Sequence, residues 1–120
     1  METITEGVHS AEFLLDSEEI SLDKATLISG QNLMPGTVLG KITASGKYTQ
    51  HDDAATDGSE VADAILYDST DATSADMPCV VVSRLAEVID RKLIFKSGIS
   101  NANRAAAIKD LAAKLIIVRT

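Results

Sequence analysis

The chain has no tryptophan, and only 3% of its 120 residues are aromatic. Its core must therefore rest on Val, Ile, Leu and Ala, which supply less buried area per residue. A core of that kind is thin, and oligomerisation would reinforce it. A single cysteine, Cys79, excludes an internal disulfide and suits a reducing compartment. No apolar run approaches membrane-spanning length, and no basic stretch followed by an apolar one opens the chain. The expectation is one soluble domain, used inside a cell or released by lysis.

Basic residues are scarce at one end. Residues 1–23 contain no Lys or Arg, and residues 1–83 carry 15 acidic against 3 basic side chains. Residues 84–120 reverse the balance, with 3 acidic and 8 basic, and the whole chain is −7. An acidic total argues against nucleic acid as the partner, since phosphate neutralisation needs clustered Lys and Arg. The basic part lacks interleaved aromatics but is suited to an acidic surface, including the acidic half of a neighbouring subunit.

Catalytic constellations are missing too. The segment Pro35 to Thr43, PGTVLGKIT, contains a Gly-Lys pair, but only three residues separate Gly36 from Gly40. A phosphate-binding loop needs four, and a Ser or Thr after the lysine where Ile42 stands. Met34-Pro35-Gly36-Thr37 reads instead as a type II turn, with Pro at i+1 and Gly at i+2. Cys79 has no histidine beside it and opens an apolar strand. A metal site at His51-Asp52-Asp53 would need ligands from elsewhere. The loop from Asp53 places Asp57 and Gly58 at positions 5 and 6 of a calcium loop, but Ala55 and Ala64 occupy positions 3 and 12. Neither motif assigns a metal, and no cofactor is expected.

What is present reads as mainly β (α+β). Glu12 to Asp16 forms a short strand or anchor, and Ser21 to Ile28 alternates weakly up to Gly30. Thr37 to Gln50 reads as a hairpin turning at Ala44-Ser45-Gly46. Val61 to Tyr67 is a buried strand between acidic loops at His51–Ser59 and Asp68–Met77. The strongest strand signal is PCVVVSRLAEVI from Pro78, followed by an extended piece at Arg91–Lys96. Ile99 to Ala113 is alanine-rich and helical, capped by Ser100, Asn101 or Asn103. Ile108, Leu111, Ala112 and Leu115 would form its apolar stripe, and Leu115 to Arg119 a final strand. The total is six to eight short strands and one C-terminal helix. Residues 1–12 read as a flexible arm, and 13–120 as a single β-rich domain.

Three stretches carry a resemblance: ITEGVHSAEFLLDSE, TLISGQNLMPGTVLGKITASGKYT and AAAIKDLAAKLIIVR. With the acidic loop and the strand between them, the chain resembles the phage head decoration protein family, typified by protein D of phage lambda. That resemblance implies a non-enzymatic, β-rich homotrimer on the outer surface of the expanded phage head. It would sit at local three-fold positions, clamping major capsid protein subunits against the pressure of packaged DNA. It would be assembled in the bacterial host cytoplasm, with no direct contact to nucleic acid or membrane. The N-terminal segment would order on the capsid, so the candidate capsid-contacting residues are Thr3, Ile4, Thr5, Glu6, Gly7, Val8 and His9. A different class of function remains as an alternative: a small carrier or binding domain modified on the hairpin lysine, Lys47. A further one is a hydrolase acting through Cys79.

Overall fold

The computed structural model describes residues 14–16, 21–84 and 86–119. Among these are ten strands and one α-helix. Five strands close a barrel: β2 (Ser21–Leu27), β4 (Val38–Lys41), β5 (Tyr48–Gln50), β6 (Ala62–Leu66) and β8 (Met77–Arg84). Their order around the barrel is β2-β5-β4-β6-β8. All neighbours run antiparallel except β2 and β5, which meet in parallel at Leu27 and Tyr48. Outside the barrel, β1 (Leu14–Asp16), β9 (Ala86–Ile89) and β10 (Ile116–Arg119) form a second sheet in the order β1-β9-β10. The α-helix, α1 (Asn101–Ala113), lies within the crossover that joins the parallel strands β9 and β10.

The expected β-rich body with one C-terminal helix is what the chain builds. The expected Thr37–Gln50 hairpin is present, with Leu39 opposite Gln50 and Lys41 opposite Tyr48. The type II turn is present as well: Gly36 has φ 94°, and the Thr37 N–H and hydroxyl both donate to the Met34 carbonyl. Ser100 caps α1 by accepting from the Asn103 N–H at 3.1 Å.

Other expectations are corrected. The chain has more strands than expected because two short ones fall in segments with little apolar content. β3 (Gln31–Leu33) and β7 (Thr70–Ala72) pair as a small antiparallel ladder, so the stretch expected as a loop at Asp68–Met77 contains a strand. The stretch expected as one strand from Pro78 is two, β8 in the barrel and β9 in the side sheet. Arg91–Lys96 is not continuously extended, because a 3₁₀ turn occupies Asp90–Lys92 and only Ile94 bridges to Thr37. The helix buries Ala107 and Leu111, while Ala112 is exposed and Leu115 has left the helix. Leu111 packs as the stripe predicts, but its buried partner is Ala107, while Ile108 is half-buried.

Two apolar clusters hold this arrangement together. Leu27, Leu39, Tyr48, Ala64, Leu66, Ala72, Cys79 and Val81 form one; Val38, Ala62, Ile65, Val82, Val88, Leu93, Ala107, Leu111 and Ile116 form the other. β4, β6 and β8 contribute to both, since alternate residues point to opposite faces. That is why these segments read as near-continuous apolar runs rather than alternating ones. A bulge adjusts the pattern: Leu39 pairs Ala64 but Gly40 pairs Ala62, so Asp63 is the extra residue. Ala62 thereby joins Ile65 in the second cluster instead of following Ala64 into the first.

Gly40 is required by close approach. A Cβ there would lie 2.4 Å from the Ser59 carbonyl oxygen and 2.6 Å from its Cα. The glycine of the apparent phosphate loop is therefore filled by the protein's own backbone. Gly40→Ala must push that backbone aside, and is expected to destabilise the fold by about 1–3 kcal/mol. Chemical denaturation checks this; a midpoint equal to wild type would contradict it.

Candidate interaction surface

One end of the barrel opens into a cleft of about 370 Å³ lined by charged residues. Its centre is Asp63, the bulged residue of β6. The Tyr48 hydroxyl donates to one Asp63 oxygen at 2.8 Å, and the Lys114 ammonium lies 2.9 Å from the other. Tyr48 comes from the barrel hairpin and Lys114 from the C-terminal cap of α1. Burial pushes the Asp63 carboxyl up, but the bonds from Lys114 and Tyr48 outweigh it and hold the group below the usual carboxylate range. The Tyr48 hydroxyl is pushed well above its ordinary value, first by burial and then by the hydrogen bond to Asp63.

The rest of the cleft is set by β2, β4 and β8. Asp23 accepts from the Ser83 hydroxyl at 2.6 Å and lies 3.7 Å from the Arg84 guanidinium. The Lys41 ammonium sits 5.9 Å from the centre of the Tyr48 ring. Ala113 and Leu115 form an apolar wall. Leu115 is 57% exposed, and belongs to neither apolar cluster. Val61, 49% exposed, flanks Lys41 and Asp63 on the neighbouring surface. This cleft is missed in the sequence, because its members span residues 23 to 115 and only the barrel closure gathers them.

The candidate residues raised by the sequence go elsewhere. Thr3, Ile4, Thr5, Glu6, Gly7, Val8 and His9 lie outside the described residues. His51, Asp52 and Asp53 point to different partners. The His51 ring is buried and its Nε2 lies 3.1 Å from the Glu60 carbonyl oxygen. Asp52 pairs with Lys96 at 3.0 Å, and Asp53 accepts from the Asn103 amide at 2.7 Å. Asp57 turns onto the N–H and hydroxyl of Ser59. Among the described residues no three His, Cys, Asp or Glu side chains cluster as metal ligands, and no helix is long and apolar enough to cross a membrane. The Lys47 ammonium is held by Asp76, so the hairpin lysine is ion-paired rather than presented. Cys79 is buried on β8, and burial pushes its thiol up, away from the reactive thiolate.

The surface thus offers charge and apolar side chains, without a nucleophile–base pair of the kind acyl transfer needs. The family model of the bacteriophage lambda head decoration protein D matches residues 3–116 of the chain. The chain belongs to that family. No curated protein matches it. The match runs from residue 3 through the barrel and α1 to Ile116, the first residue of β10. A head decoration protein is a structural component of the phage capsid.

The Tyr48–Asp63–Lys114 contact makes the stability of this decoration protein dependent on acid. The folded Asp63 titrates lower than the unfolded one, so its contribution is complete above about pH 4 and is lost as pH falls through the folded value. Asp63→Asn is expected to cost about 1–3 kcal/mol at neutral pH and to flatten the acid limb of the stability curve. Denaturation midpoints at pH 7 and pH 3 for both chains test this.

Proposed function

We propose that the protein decorates the outside of an expanded phage head as a homotrimer at local three-fold positions, cementing major capsid protein subunits against packaged DNA. The observation that carries this is the family match over residues 3–116. Trimers suit a three-fold position because three identical contacts form together. The aromatic-poor core adds support, since subunit contacts would supplement its thin apolar interior.

In this reading the body, residues 13–120, is the docking platform and residues 1–12 are the arm that grips the capsid. The arm leads directly into β1, an edge strand of the β1-β9-β10 sheet. Edge strands carry unpaired backbone donors and acceptors that favour added strands. Thr3 and Thr5 favour an extended backbone, and Ile4 and Val8 supply apolar side chains for burial. Pairing of this arm with an exposed capsid strand gives main-chain hydrogen bonds without a deep pocket. Ordering ten or so residues costs on the order of 10 kcal/mol in backbone entropy. One arm alone is weak, but three on a trimer gain roughly 10²–10⁴ in avidity.

Deletion of residues 1–10 removes no barrel strand and is expected to leave a folded trimer, with three times the mass of the shortened chain. Its co-sedimentation with empty expanded heads should fall by at least tenfold relative to wild type. Equal decoration by the truncated chain would place the capsid-binding surface on the body instead.

A further inference from the structure

Leu115 combines two unfavourable features. It stands just beyond the α1 cap with φ 63°, the only non-glycine among the described residues with positive φ. Helices commonly end on such a residue, but glycine usually fills it because a side chain is strained there. Its N–H donates to the Ala112 carbonyl at 2.9 Å, so the geometry is a hydrogen-bonded helix stop rather than a loose end. Leu115 is also 57% exposed, so the large side chain gains little inside its own subunit. Strain and exposure at one residue are offset when a partner covers that residue.

The surroundings indicate the partner's chemistry. Leu115 lines the same cleft as Lys41, Arg84 and Lys114. Lys114 and Arg84 face Asp63 and Asp23, whereas no carboxylate lies within ion-pair distance of Lys41 among the described residues. The described lining residues therefore carry one net positive charge, in a chain whose net charge is −7. It calls for an acidic group next to an apolar one.

The chain carries such a surface at the other end of the barrel. The β2–β8 ladder runs from Ser21 opposite Arg84, at the cleft, to Leu27 opposite Met77. Seven residues of strand separate these ends by about 20 Å. The segment entering Met77 contains Asp71, which is exposed, accepts from the Thr73 N–H and hydroxyl, and meets no cation among the described residues. Met77 is 41% exposed. A ring of identical subunits joined head to tail needs two different complementary patches on each chain. An exposed lysine with Leu115 at one end, and an exposed carboxylate and Met77 in the segment toward the other, meet that requirement.

We propose that the Lys41–Leu115 cleft is the subunit-joining site of the trimer, occupied by the Asp71–Met77 surface of a second copy of this chain. This rests on the trimer reading above and adds which surfaces meet. Lys41 pairs with the neighbour's carboxylate, and Leu115 packs on its apolar side chain. The strained helix stop is what aims Leu115 outward.

Sedimentation equilibrium of the free chain and carboxylate–lysine cross-linking on decorated heads measure the trimer fraction. Leu115→Gly suits the backbone conformation, so its unfolding midpoint in dilute solution should not fall below wild type. Its trimer should nevertheless dissociate at least tenfold more readily, from loss of the buried leucine. Lys41→Glu and Asp71→Lys should each weaken the trimer, and the double variant should recover it. Leu115→Gly and Lys41→Glu trimers as tight as wild type would overturn the proposal while leaving head decoration standing. Failure of the double variant to recover would overturn the assigned pairing. A wild-type chain that binds heads only as a monomer would overturn this inference and the trimer reading together.

Discussion

The contact among Tyr48, Asp63 and Lys114 joins the two halves of the molecule. Tyr48 belongs to the cluster containing Leu27 and Leu39, and its hydroxyl reaches Asp63 from there. Lys114 ends the helix whose Ala107 and Leu111 pack in the other cluster. The bulge at Asp63 makes the meeting possible. With regular alternation, Ala62 and Ala64 would share a face and the second cluster would lose a member. One extra residue gives each alanine to a different cluster and leaves the carboxylate where tyrosine and lysine converge. A half-buried carboxylate costs desolvation unless donors meet it, and here two donors do.

The same economy explains a core with few aromatics. Three barrel strands contribute to both clusters, so Val38, Ile65, Val81 and Val82 each serve one of the two instead of facing water. Close backbone approach adds to this. Gly40 admits the Ser59 backbone to within a distance no side chain permits. Among the described residues His51 Nδ1 is the one buried side-chain polar atom without a hydrogen-bond partner. A capsid decoration protein needs a rigid body with adhesive surfaces, and this architecture supplies one.

Charge is segregated along the chain, and folding keeps part of that segregation in space. The cleft at the Arg84 end of the barrel gathers Lys41 with basic residues from the C-terminal part. The Asp71 segment lies toward the opposite end of the β2–β8 ladder. Surface charges of this kind contribute little to the stability of one subunit. Their larger effect is on which surfaces meet and in what orientation.

The sequence by itself determined the β-rich class, the Thr37–Gln50 hairpin, the Gly36 turn, the helix with Ser100 among three candidate caps, and the strand at the C-terminus. Each depends on local chemistry: turn residues, a capping hydroxyl, helix propensity, or an apolar run long enough to be buried. The order of the stretches ITEGVHSAEFLLDSE, TLISGQNLMPGTVLGKITASGKYT and AAAIKDLAAKLIIVR also carried the family. Tertiary structure decided what depends on partners distant in sequence. β3 and β7 are strands because each pairs with the other, although neither is apolar enough to signal one alone. β8 and β9 separate because they serve different sheets, a division that one continuous apolar pattern does not mark. Spacing already removed Gly40 from any nucleotide loop, but that it admits the Ser59 backbone is visible only in the fold. The cleft of Lys41, Asp63, Arg84 and Leu115 exists only after barrel closure, since periodicity describes one element at a time and a site belongs to several.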